Sequence, residues 1–297
     1  MFGMFFSRLF RRLSEQQKKS QSHFRQPRGQ SVTAQSVLPK ALLVGHSHVV
    51  AVRMALMPNG HPNERLDICA IHRENLKPEV TSTPDGPVLH PGLRARIDQD
   101  RYDFAFLSIG GGPHIIMGLV KNPATFDFVL PYEPDLPIVE GAQVLPYDAV
   151  LETLRRRNAH NRNIFAAVSD HFRKPLFHLD YPPPVPDGWA RDNGGPFADK
   201  IDVQGVSPLS VRYKLWRANL QVLDEMCTAH GIERIGVPPS MLASDGTLAD
   251  EGLFKDPIHG NRAYGHEVAQ QIFSIMNRGK ISREPTARNI LRQETAG

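Results

Sequence analysis

The chain has 297 residues and a mass of 33.2 kDa, with 40% hydrophobic and 22% charged residues, which is globular composition for one large domain or two small ones. It excludes a collagen-like chain, a disulfide scaffold and a wholly disordered protein, and no stretch approaches the ~18–20 apolar residues of a membrane-spanning helix. The net charge of +4 comes from residues 1–40, which carry eight basic side chains against Glu15; the remainder carries 27 basic and 30 acidic residues, so the body lacks a nucleic-acid footprint.

The first segment is an arm. Phe2, Phe5, Phe6, Leu9, Phe10 and Leu13 repeat at helical spacing, with Arg8, Arg11 and Arg12 on the opposite face. That pattern suits a helix at an anionic membrane surface, on a partner protein or on the protein's own body. A secretory signal is not indicated, because there the positive charges precede a longer apolar run. Residues 14–38 read as a flexible linker. The arm therefore spans 1–38, the folded body 39–279, and a disordered tail 280–297.

Within the body, strand-like runs at Ala41–Val44, Arg65–Ile71, Phe104–Ile109, Pro175–Leu179 and Arg234–Val237 alternate with helical patterns. The helices are expected over Val49–Met57, Tyr147–His171, Ser210–His230 and Arg262–Asn277. Such alternation predicts an α/β fold, a mostly parallel sheet covered on both faces. Residues 119–146 and 182–209, rich in Pro and Gly, are expected as long loops that shape a cleft or remain disordered. Cys69 and Cys227 stand in no metal-ligand spacing and read as buried, reduced thiols of a cytoplasmic protein.

Three polar clusters fall at strand ends. Gly45-His46-Ser47-His48 follows the first strand, where a Ser on a sharp strand-to-helix turn presents both its hydroxyl and its backbone N–H; capping the next helix is the plainer role. Gly110-Gly111-Gly112-Pro113-His114 follows the third strand and allows close backbone approach to a ligand; Ile115 breaks a dinucleotide fingerprint. Asp256-Pro257-Ile258-His259-Gly260-Asn261 precedes the last helix. Its carboxylate can orient the imidazole as a general base, and Asp256 or Asn261 can cap the helix. His160, His171 and His230 read as solvated helix-face residues.

Jointly the clusters resemble the SGNH (GDSL-like) hydrolase superfamily over roughly residues 41–278. Leu42-Leu43-Val44-Gly45-His46-Ser47-His48 is similar to its first block, and Asp256-Pro257-Ile258-His259, with Asn261, Tyr264 and Gly265, to its last. His178 to Pro184 resembles the family's fourth strand and its Pro segment. The resemblance implies a three-layer α/β/α, flavodoxin-like fold with no cofactor. It implies Ser47 as nucleophile, His259 as base and Asp256 as its orienting acid. Two departures stand out: Gly112 occupies the place of the usual oxyanion Asn, and no Gly follows the second strand until Gly86. The oxyanion donors are then expected from Ser47, Gly112 and a substituting His114. An α/β-hydrolase is excluded, because Val49 breaks the G-x-S-x-G elbow.

Three functions follow. The first is a serine esterase acting on O-acyl, including O-acetyl, esters of a carbohydrate or lipid, in the cytoplasm or at a membrane through residues 1–13. The second is an SGNH-fold binding or scaffold protein that has lost turnover, which the two missing donors favour. The third is a metal site of His46, His48, His114 and His259, ranked last because the spacing is poor.

Overall fold

The computed structural model describes residues 38–57, 61 and 63–281. Most of the expected arm and tail lies outside these residues. In chain order the described strands and helices are β1 (Ala41–Gly45), α1 (Val49–Leu56), β2 (Leu66–Ala70), β3 (Val80–Thr83), β4 (Gly86–Leu89), α2 (Pro91–Arg96), β5 (Phe104–Ser108) and α3 (Gly112–Gly118). They continue with β6 (Phe126–Asp127), β7 (Gln143–Val144), α4 (Tyr147–Arg157), α5 (Ala159–His171), β8 (Leu176–Leu179), α6 (Asp187–Asp192) and α7 (Ala198–Gln204). The last are α8 (Leu209–Ala229), β9 (Glu233–Ile235), β10 (Leu253–Phe254), β11 (Asp256–Gly260) and α9 (Arg262–Ile281).

A five-stranded sheet, ordered β2-β1-β5-β8-β9 and parallel throughout, forms the middle layer. Successive strand residues point to opposite faces, and the core divides accordingly. Leu42, Val44, Cys69, Ala105 and Leu107 join α5 and α8 in one apolar cluster. Ala41, Leu43, Ile68, Phe104 and Phe106 join α1 and α9 in the other. This is the three-layer α/β/α architecture. The chain leaves β1 for β2 on one side and leaves β5 for β8 on the other. The crevice at the carboxyl ends of β1 and β5 is thus a topological switch point, the usual ligand site of open α/β sheets.

Several expected elements differ. The helix expected over Tyr147–His171 is two helices parted at Asn158, whose side-chain amide donates to Leu154 O and to Asn219 Oδ1, each at 2.9 Å. Residues 80–89 form a β3–β4 hairpin that the sequence did not suggest. The 182–209 segment carries α6, a 3₁₀ turn and α7. Segment 119–146 packs Phe128 and Leu130 against α4 and α8, and fully buried Lys214 donates to Asp127 Oδ1 at 2.9 Å and to Pro137 O at 2.8 Å. Cys69 and Cys227 are buried and unpaired. No described helix is long and apolar enough to cross a membrane.

The contact that matters most for the switch point is between α1 and α9. Gly265, in the first turn of α9, lies against the backbone of Ala51 and Val52, and a Cβ there would overlap the Ala51 carbonyl. Hydrogen at this position lets the two helices touch main chain to main chain, over a layer of Val49, Val52, Tyr264, Val268 and Ile272. Gly265→Ala must separate them, so we expect a loss of about 2 kcal/mol or more in denaturant unfolding. A variant as stable as the parent would show that the close approach is dispensable.

Candidate active site

β1 delivers the first residues. Gly45 ends the strand against the Ser108 carbonyl with no room for a Cβ, and His46 N–H continues the ladder by donating to Ser108 O at 3.0 Å. The chain then turns, and α1 begins at Val49 with His48 as its N-cap residue and no side-chain cap. The Ser47 carbonyl accepts from Val50 N–H at 3.1 Å, but its hydroxyl, rather than capping the helix, meets His259 Nε2 at 2.7 Å.

His259 comes from the opposite end of the chain. It sits on the short strand β11, paired antiparallel with β10. Asp256 Oδ2 accepts from His259 Nδ1–H at 2.9 Å, while its Oδ1 accepts from the amides of Ile258 at 2.8 Å and His259 at 2.9 Å. Burial alone would raise the Asp256 carboxyl. The hydrogen bond and charge of His259, with the two amides, outweigh it and hold the carboxyl below the usual carboxylate range. Capping falls to Asn261, whose Oδ1 accepts from Ala263 N–H at 2.7 Å and Tyr264 N–H at 3.1 Å. Orientation and capping are thus divided between two residues.

The glycine loop closes the other side. Gly110 and Gly111 have φ of +101° and +89°, a region L side chains rarely adopt. Below them, Tyr181 packs among the rings of His48, His114 and His178 with centroids 5.9–6.0 Å away. Ser47, His48, His259 and the three glycines line a cleft of about 200 Å³ whose remaining walls, Ile115, Ile116, Pro196, Phe197 and Ile258, are apolar. Of the two Pro/Gly-rich segments, only 182–209 reaches this cleft, through Pro196 and Phe197.

Of the sequence candidates, Ser47, Asp256, His259 and Gly112 converge here, and His114 does not. His114 is the third residue of α3, so its side chain turns inward. It is buried, stacks on Tyr181 and lines a separate small void with Pro184 and Arg212. Burial drives its pKa down to about 3. A metal site is not assembled: among the described residues, no three His, Cys, Asp or Glu side chains are placed to hold an ion.

The sequence missed a second histidine–carboxylate system. Glu79, 33 residues from His46 along the chain, accepts from His46 Nε2–H at 3.0 Å and from His160 Nε2–H at 3.2 Å, with Lys77 Nζ at 3.8 Å. His160 is therefore bonded to Glu79 as well as lying on a helix face. With its Nε2 proton committed to Glu79, His46 offers Nδ1 to the Gly110 amide, at 3.5 Å. Burial works against the Glu79 carboxylate, but the hydrogen bonds from His46, its own backbone and His160 take it down to about 2.

No family model matches the chain, and no curated protein does. Solved structures that align with it include a protein from Streptococcus pneumonia provisionally described as a platelet activating factor. That pair shares 16% identity over 82% of this chain and 86% of the other, with a TM-score of 0.43. A second, from Slackia heliotrinireducens and provisionally described as an SGNH hydrolase, has 12% identity over 79% and 97% of the two chains, TM-score 0.40. A phospholipase A1 from Streptomyces albidoflavus has 10% identity over 80% and 99%, TM-score 0.39.

Glu79 yields a pH prediction. Its folded pKa lies below its ordinary value, so its stabilising contribution is complete above about 4.5 and is lost as pH falls toward about 2. Glu79→Gln should lower the Tm near neutral pH and flatten its decline across that acid window in calorimetric scans. Parallel Tm–pH curves for variant and parent would contradict the assignment.

Proposed function

We propose that the protein is a serine ester hydrolase of the SGNH type, with Ser47 as nucleophile, His259 as general base and acid, and Asp256 as the group that orients the imidazole. The observation carrying this reading is the unbroken hydrogen-bond chain from Asp256 through His259 to Ser47 in an open cleft. With Nδ1–H held by the carboxylate, Nε2 is left as the acceptor facing the hydroxyl, the tautomer a base needs.

In this reading Ser47 Oγ attacks the ester carbonyl as His259 Nε2 takes its proton. The tetrahedral intermediate then expels the alcohol oxygen, which receives that proton from His259, and an acyl-Ser47 ester remains. Water, deprotonated by the same imidazole, attacks the acyl carbon and releases the acid. Negative charge on the carbonyl oxygen needs donors in the cleft. In this reading they are the backbone N–H of Ser47, which no carbonyl of the described residues engages, and that of Gly112 in the first turn of α3, both residues that line the cleft.

The substrate class proposed is an O-acyl ester of a lipid or carbohydrate. The cleft walls favour an uncharged acyl group, since apart from the histidines its lining carries no ionisable side chain. The second reading, a binding protein without turnover, rests on the missing Asn at Gly112 and on the turn after β2, where His72 and Arg73 stand instead of a Gly.

Steady-state hydrolysis of p-nitrophenyl acyl esters separates the two. The parent should turn over, and Ser47→Ala should lower kcat by about 10³-fold or more without a change in Tm. Ester binding with no release of p-nitrophenol by the parent would favour the binding protein.

A further inference from the structure

We propose that His48 is a catalytic residue, its imidazole serving as the side-chain hydrogen-bond donor of the oxyanion pocket. This rests on the hydrolase reading of Ser47. The run Gly110-Gly111-Gly112 presents no side-chain amide to the cleft, and the His48 ring lies over the gap: a Cβ built on Gly111 would come within 2.7 Å of His48 Nε2. His48 lines the same cleft as Ser47 and His259, and its ring centroid is 5.1 Å from that of His259, so it flanks the base without replacing it.

The ring's protonation state follows from its surroundings. Burial first, and then repulsion from the surrounding histidines when they are protonated, His259 foremost, hold its pKa well below the ordinary histidine value. Near neutral pH it is an uncharged imidazole with one N–H and does not compete with His259 for the Ser47 proton. His48 Nδ1 is buried, with no hydrogen-bond partner among the described residues. An orphaned buried N–H is rarer than an under-satisfied acceptor, so the proton belongs on Nε2, the nitrogen packed against Gly111 at the cleft. His48 keeps that proton throughout. As the Ser47–carbon bond forms and His259 takes the serine proton, the carbonyl oxygen gains charge and accepts the Nε2–H hydrogen bond; on collapse the bond weakens again.

The arrangement also accounts for Gly111. Any side chain there would have to displace the His48 ring as well as adopt a left-handed backbone.

Two variants test the assignment against a packing role. His48→Phe keeps a ring beside His259 and Tyr181 but cannot donate, whereas His48→Gln can donate without the ring. On p-nitrophenyl ester turnover, Phe should lower kcat by about 10²–10³-fold with KM within about threefold, and Gln should recover at least about tenfold of that loss. If Phe fails to fold, as read by its Tm, Leu takes its place. A non-donating variant that keeps most of the parent kcat overturns the proposal and leaves the hydrolase reading intact, as does a Gln variant no better than Phe. A parent that neither turns over nor reacts at Ser47 with a serine-directed phosphonate overturns both.

Discussion

The close crossing of α1 and α9 holds the site together. Ser47 lies two residues before α1 and His259 three residues before α9, so the separation of their side chains is set by how nearly the two helices can approach. With Gly265 against the Ala51 carbonyl, the backbones meet, and residues 212 positions apart come within a 2.7 Å hydrogen bond. A bulkier residue at the crossing would move the imidazole away from the hydroxyl, and proton transfer across a lengthened bond slows steeply.

Around that contact the site uses histidine in three electrostatic settings. His259 is oriented by the Asp256 carboxylate, which the hydrogen bond and charge of His259, with two backbone amides, hold ionised. His46 is bonded to Glu79, and its remaining lone pair faces the glycine loop, making it a brace for the wall of the cleft. His48, His114 and His178 are uncharged, because burial makes a second proton costly. His178 uses its Nε2–H on the Ile109 carbonyl at 2.9 Å, bridging β5 and β8 just beneath the glycines. In the proposed mechanism one residue type serves as base, brace and neutral donor according to its neighbours.

Much of the fold was legible in the sequence because its signals are local. Short apolar runs marked all five strands of the main sheet, four of them closely followed by Gly or Pro, and the long apolar periodicities marked α1, α8 and α9. The gap at Asn158 was invisible because the helical pattern continues across it, and the break is fixed by Asn219, 61 residues away. The β3–β4 hairpin was missed because Thr81, Ser82, Thr83 and Val88 are exposed and show no apolar alternation. At the site, Ser47, Asp256 and His259 stood out by their place at strand ends. Glu79 could not be paired with His46 without the fold, and His114, though near the glycines in sequence, is turned inward by the first turn of α3. His48 was noticed only as a metal-ligand candidate; its place above Gly111 is a tertiary fact.

The account depends on a hydroxyl activated by one imidazole. Peptide mapping by mass spectrometry after exposure to an activated phosphonate ester tests this directly. A single adduct on Ser47, forming at least about 10²-fold more slowly in His259→Ala, is the predicted result. Labelling of another residue, or equal rates in the parent and the variant, would contradict it.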